Sequence, residues 1–288
     1  MSALLKRLFS GLVFDNIFIA LCAVALVQVS RKVLHQAYAI TAVDSFVFFS
    51  TLLVYNLHKS LSLLPRQSPF AVLNLILSSQ LSRPFRALIY SGILGTAASF
   101  ILLDALQQIL VTGLALVTFA YSFPVLKIKN TRKRIRELFI IKVLVISLVW
   151  SIVTAGLPAV HERFSSIPFF LLFTERLLFI FAITIPFEIR DMEQEKKWGN
   201  KTLPVVLGAQ KSKHLAYLLL ALFSVLVLAH FLLVCRPAEP SLAAAMILSA
   251  GAAGLLIYLT EMQRSSFFFK FFVDGTMMLQ FIFVILFS

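Results

Sequence analysis

The run Pro186-Phe187-Glu188-Ile189-Arg190-Asp191-Met192-Glu193-Gln194-Glu195-Lys196-Lys197 holds the densest group of chemistry-bearing residues in the chain. Glu188, Asp191 and Glu195 are spaced by three and then four, which stacks their carboxylates on one face of a helix. Three like charges on one face repel each other unless a cation lies among them. Oxygen donors with room for water suit a hard ion such as Mg²⁺, which binds through one or two carboxylates plus substrate phosphates. The alternative is a solvated helix end whose acids pair with Arg190, Lys196 and Lys197. Spacing alone leaves both readings open.

Two further ionisable groups follow other apolar runs. Asn56, His58 and Lys59 close one, and the basic segment Lys127, Lys129, Arg132, Lys133, Arg134, Arg136 closes another. A departing phosphate or diphosphate needs concentrated positive charge, and Lys and Arg supply it.

These groups need elements to position them, and the composition says which. Hydrophobic residues make up 60% of the 288, charged residues 14%, and mean hydropathy is +0.93. A soluble domain of this size could not hide so much apolar surface with so few charges, so the solvent is lipid. Runs of roughly 20 apolar residues mark spans, expected at 11–30, 38–57, 86–104, 105–123, 138–157, 167–187, 214–235, 241–260 and 267–287. Spans three and four meet at Asp104, which requires a tight turn. The runs lack the alternation of barrel strands, so the fold class is all-α: about nine transmembrane helices in a single domain, 1–288. The apolar segment 68–82 is expected to form a short helix lying in the interface.

Charge placement orients the bundle. With the N-terminus in the cytoplasm, cytoplasmic segments hold 20 of the 26 Lys and Arg, against 4 on the opposite side. That asymmetry follows the positive-inside rule. It explains the net charge of +13 without nucleic acid. Compact loops suit a bacterial inner (cytoplasmic) membrane. Near the N-terminus, Asp15 and Asn16 interrupt the apolar region, so the first helix reads as uncleaved rather than as a signal peptide. Cys22 and Cys235 form no cluster and read as small buried hydrophobes. Asp15, Asp44, Glu175, Arg176 and Asp274 fall within spans, where charge is expensive. Adjacent Glu175 and Arg176 point about 100° apart on a helix and need separate partners. His35, His161, His214 and His230 show no ligand spacing and read as interfacial or packing residues.

The stretch from Glu188 to Gly208 resembles the second aspartate-rich motif of the UbiA superfamily of intramembrane prenyltransferases. That motif runs D-x-x-D-x-x-x-D, then a glycine, a Thr-Leu-Pro and a closing Leu-Gly. Here Glu188, Asp191 and Glu195 supply the acids, followed by Gly199, Thr202-Leu203-Pro204 and Leu207-Gly208. Tyr121-Ser122-Phe123-Pro124 with its basic loop is similar to the family's Tyr-Ser…Pro segment. The family's first acidic motif, N-D-x-x-D-x-x-x-D, is represented only by Asn56. Its aspartate positions are Leu57, Ser60 and Leu64.

The resemblance implies an isoprenyl diphosphate bound with Mg²⁺, its tail in a lipid-accessible central cavity beneath cytoplasmic cap loops, and transfer to an aromatic or lipid acceptor. It implies Glu188, Asp191 and Glu195 as metal-holding catalytic residues. Asn56, His58, Lys59, Tyr121, Lys127, Arg134, Arg190 and Lys201 follow as substrate contacts. Without the first acidic cluster, either His58 and Lys59 replace the second metal or the chain only binds an isoprenoid or lipid diphosphate. A terpene cyclase on the same scaffold and a transporter are the other classes. A transporter would show inverted repeats, and no second copy of either motif is present.

Overall fold

The computed structural model describes residues 16–62, 81–122, 126–128, 131–133, 141–160, 167–235 and 239–287. Within them the chain forms nine long helices and one short one. They are α1 (Ile17–Val33), α2 (Ala42–Ser62), α3 (Arg83–Ile101), α4 (Ala105–Ser122), α5 (Ile141–Ser151), α6 (Ile167–Lys197), α7 (Leu203–Leu207), α8 (Ala209–Leu228), α9 (Pro240–Tyr258) and α10 (Asp274–Phe287). Single π-helical stretches extend α5 (Ile152–Gly156) and α8 (Ala229–Val234) and precede α10 (Phe268–Val273). Among the described residues five helical segments, two of them counted with their π-helical stretches, are long and apolar enough to cross a membrane. The expected interfacial helix lies outside the described residues, apart from Leu81 and Ser82 leading into α3. The basic loop adds one feature to the all-α expectation, a small antiparallel pair of β1 (Leu126–Ile128) with β2 (Thr131–Lys133) that sets Lys127 opposite Arg132.

The junction expected at Asp104 is a three-residue turn, and its sequence explains it. Asp104 Oδ1 accepts the backbone N–H groups of Leu106 and Gln107 at 2.9 and 3.0 Å. Gln107 Oε1 in turn accepts the Asp104 N–H at 3.3 Å. This reciprocal capping satisfies donors that α4 would otherwise leave unpaired at its start.

The bundle has two unlike halves. In one, α1, α6, α8, α9 and α10 share a continuous core that includes Phe179, Phe223, Phe231 and Phe269, all fully buried. In the other, α2, α4 and α5 surround an apolar cavity of about 550 Å³. Outward-facing leucines such as Leu94, Leu116, Leu233 and Leu286 are about 70% exposed, as lipid-facing side chains should be.

Helices surrounded by lipid gain little from burying apolar surface against one another, so close approach decides which pairs hold. α2 and α3 meet at Gly92 and Gly95. A Cβ at Gly92 would sit 3.1 Å from Leu53 Cβ, and one at Gly95 would overlap the Phe49 ring. Gly95→Leu is therefore expected to push the two helices apart at a cost of about 1–3 kcal/mol. The check is a lowered Tm for the detergent-solubilised variant.

Candidate functional site

Helix α6 has 31 residues and spans about 46 Å at 1.5 Å per residue, against a hydrocarbon core of about 30 Å. Its last three turns, which carry Glu188, Asp191 and Glu195, therefore extend beyond the apolar layer. Gly199 stops the helix. Its φ of 71° is the left-handed conformation that costs glycine least. The Gly199 N–H donates to the Lys196 carbonyl and the Asn200 N–H to the Glu195 carbonyl, both at 3.0 Å. This paired closure satisfies two terminal carbonyls. It also folds Asn200 back, so that its Nδ2 donates to Glu195 Oε2 at 2.6 Å.

The acids meet a cation that comes from another helix. Lys142, in the first turn of α5, places its ammonium 2.7 Å from Glu188 Oε1 and 3.2 Å from Glu195 Oε1. Glu188 is only 3% exposed, and its Oε2 has no hydrogen-bond partner among the described residues. Asp191 turns the other way. Its carboxylate accepts from Arg190 Nε at 2.7 Å and Nη2 at 3.2 Å. The Arg190 guanidinium lies 5.3 Å from the Phe187 ring centre and 5.1 Å from that of Phe269. The π-helical stretch ahead of α10 supplies Phe269, and Phe187 and Phe269 also pack at 5.7 Å.

The expected shared carboxylate face is therefore divided. Among the described residues no three His, Cys, Asp or Glu side chains are grouped as metal ligands. The physical reason is competition, because Lys142 engages Glu188 and Glu195 while Arg190 engages Asp191.

The other expected residues separate as well. Asn56 is fully buried, and it accepts from Asn16 Nδ2 at 3.0 Å and donates to the Leu52 carbonyl at 2.9 Å. Lys270 donates to Asn16 Oδ1 at 3.4 Å, so Asn56 faces the start of α1 and the segment before α10. His58 and Lys59 were expected to act together, but consecutive residues point about 100° apart. His58 lines the cavity, whereas the Lys59 ammonium lies 4.7 Å from the Phe85 ring centre on the α3 side. Lys201 is exposed just after α6. Tyr121 lies in the last turn of α4 and Lys127 lies in β1, with side chains outside the described set, and Arg134 is outside the described residues altogether.

The charges inside spans are mostly structural. Glu175 Oε1 lies 2.9 Å from His230 Nδ1, both fully buried. His230 thus has a specific partner that its isolated position in the sequence did not suggest. Arg176 donates to Gln280 Oε1 at 2.9 Å and to the Leu26 carbonyl and Ser30 Oγ at 3.2 and 3.1 Å. Asp44 accepts from Gln28 at 2.6 Å, from Arg31 at 3.3 Å and from Thr41. Sequence reasoning missed the two residues that organise the acids, Lys142 and Asn200. The signal for Lys142 was present, since a charge inside an apolar run is functional by default.

From this cluster the α5 face leads inward. Val145, Ile146, Val149, Trp150 and Val153 line the cavity, and the first two stand three and four residues after Lys142. On α2 the lining runs through Phe46, Ser50, Val54 and His58, about 18 Å of one helix face. Tyr55 and Trp150 meet edge to face at 6.5 Å on its wall. The arrangement is an apolar slot that begins one turn from a bank of carboxylates and cations. Lys142→Met should leave Glu188 buried without its counter-charge and cost about 3–5 kcal/mol. Thermal denaturation should show this loss largely recovered by pairing the substitution with Glu188→Met.

Comparison with known proteins gives the fold and the family. No curated protein matches the chain. Among solved structures, a UbiA homolog from Archaeoglobus fulgidus bound to GPP and Mg²⁺ superposes with a TM-score of 0.62 at 14% identity, covering 95% of this chain and 99% of that one. Digeranylgeranylglyceryl phosphate synthase gives 0.53 at 16% identity, with 98% and 97% covered. A UbiA homolog from Aeropyrum pernix K1 gives 0.52 at 15% identity, with 94% and 96% covered. Identities this low establish shared architecture only. The family model for UbiA prenyltransferases matches residues 74–282, well over half the chain. The chain is thus an integral membrane protein that belongs to the UbiA prenyltransferase family.

Proposed function

We propose that this protein transfers an isoprenyl group from an isoprenyl diphosphate to an aromatic or lipid acceptor in the membrane, with Mg²⁺ assisting loss of the diphosphate. The observation that carries the reading is the 550 Å³ apolar cavity whose α5 wall starts one turn from Lys142 and the carboxylates. An amphiphile with an anionic head and a long hydrocarbon tail fits that sequence of environments. Related folds bound to GPP or DMAPP together with Mg²⁺ support the same substrate class. The positive-inside asymmetry supports a cytoplasmic placement of the N-terminus and the site loops.

The donor set fits a hard divalent cation. All three candidates, Glu188, Asp191 and Glu195, offer carboxylate oxygens, and Glu188 Oε2 is buried with no partner among the described residues. The ammonium of Lys142 marks the same place as favourable to positive charge. When bound, Mg²⁺ would supply Lewis-acid stabilisation of the negative charge that develops on the departing diphosphate.

The chain's own residues do the rest. Lys142 supplies positive charge beside the carboxylates, and Arg190, Lys201, Lys127 and Arg134 are the further cations assigned to contact with the leaving group. Apolar side chains from α2, α4 and α5 hold the tail and exclude water that would quench an allylic cation. The Tyr55 and Trp150 rings give that cation electron-rich faces as the allylic C–O bond breaks. The acceptor's nucleophilic atom then bonds to the allylic carbon and sheds its proton.

Protein in native membranes, which supply the acceptor, is expected to release diphosphate from geranylgeranyl diphosphate with Mg²⁺, and EDTA is expected to stop it. Asp191→Asn should reduce release on the order of 100-fold or more, the size of effect seen when one stabilising group is removed from a developing anion. Equal release by wild type and Asp191→Asn would remove Asp191 from the catalytic site.

A further inference from the structure

The carboxylate cluster already contains a cation. Lys142 spans Glu188 and Glu195 at 2.7 and 3.2 Å, which are the two acids that flank Asp191 in the motif. It leaves Glu188 Oε2, a buried oxygen, without a partner among the described residues. A metal that takes these carboxylates must displace the ammonium or share them with it. Displacement by metal alone would separate the Lys142 ammonium, whose side chain is 15% exposed, from Glu188 and Glu195. That is costly for a partly buried charge. A diphosphate removes the cost by offering anionic oxygens in exchange.

Placement favours that exchange. Lys142 sits at the start of α5, on the face that continues through Val145 and Ile146 into the cavity, so a rotation of its flexible stem keeps the ammonium at the cavity mouth. The positions where an N-D-x-x-D-x-x-x-D motif would put carboxylates after α2 are Leu57, Ser60 and Leu64.

We propose that Lys142 is a resident counter-ion that passes from Glu188 and Glu195 to the substrate diphosphate as Mg²⁺ takes the carboxylates. Metal and diphosphate then bind as a coupled pair, and neither binds well alone. This inference rests on the prenyl-diphosphate reading above. By linkage, the factor by which diphosphate tightens the metal equals the factor by which metal tightens diphosphate. In the loaded site Lys142 is a substrate-binding residue, in contact with the diphosphate.

The experiment is electron paramagnetic resonance titration of Mn²⁺ into detergent-purified full-length protein, with and without geranylgeranyl diphosphate. Lys142→Gln removes the charge but keeps a donor for Glu188, and Lys142→Arg keeps the charge. Wild type and Lys142→Arg should bind Mn²⁺ weakly alone and at least tenfold more tightly with the diphosphate. Lys142→Gln should bind Mn²⁺ alone at least tenfold more tightly than wild type and gain much less from the diphosphate. Coupled binding in wild type with unchanged or weaker metal affinity in Lys142→Gln would overturn the exchange alone. If wild type at saturating Mn²⁺ does not bind geranylgeranyl diphosphate, the substrate reading falls and the exchange falls with it.

Discussion

A carboxylate buried at a helix end beside the membrane must be given positive charge, and the architecture around Glu188 is arranged to meet that demand. At 3% exposure, burial pushes the Glu188 carboxyl above its ordinary pKa, and the Lys142 ammonium at 2.7 Å opposes that shift. Three separate features build the cluster around that contact. Helix α6 must be long enough to carry Glu188 past the hydrocarbon layer. Helix α5 must begin at the same level with a lysine in its first turn. Gly199 must end α6 where Asn200 can hold Glu195 beside the same ammonium. Loss of the Lys142 ammonium would leave Glu188 and Glu195 without the charge that opposes theirs.

The same constraint explains the asymmetry of the bundle. The half built from α1, α6, α8, α9 and α10 is packed solidly with aromatic side chains and locked by buried polar contacts such as Arg176 with Gln280 and Glu175 with His230. Unsatisfied polar groups are expensive in hydrocarbon, so these contacts pin helix register where apolar burial contributes little. That rigid half holds α6, and hence the acids, in place. The other half leaves a cavity between α2, α4 and α5. Rigidity at the carboxylates and space at the tail are complementary requirements of one amphiphilic ligand.

Much of this was legible from residue types and spacing. Nine apolar runs became nine long helices, because a run of that length in lipid has no other way to satisfy its backbone. Asp104 marked the turn between α3 and α4, and the Gly199 and Gly208 positions both have positive φ as the motif's punctuation suggests. What spacing could not convey was partnership. Glu188, Asp191 and Glu195 share a helix face, yet Lys142 lies 46 residues before Glu188 and Arg190 is Asp191's neighbour, and both compete for the acids. His58 and Lys59 are adjacent in sequence but belong to different surfaces of α2. His230 is isolated in the sequence and paired in space. Tertiary contacts between distant helices decide each of these, and no local pattern encodes them.

The central claim is that one ligand spans the carboxylate cluster and the cavity. Photo-crosslinking with a geranylgeranyl diphosphate analogue carrying a diazirine near the tail terminus tests it directly. The account predicts adducts on cavity-lining residues of α2 and α5, such as Phe46, Ser50, Val149 and Val153, that disappear when unlabelled geranylgeranyl diphosphate is added. Adducts confined to the closely packed face of α9 and α10, or labelling that unlabelled diphosphate does not reduce, would contradict it.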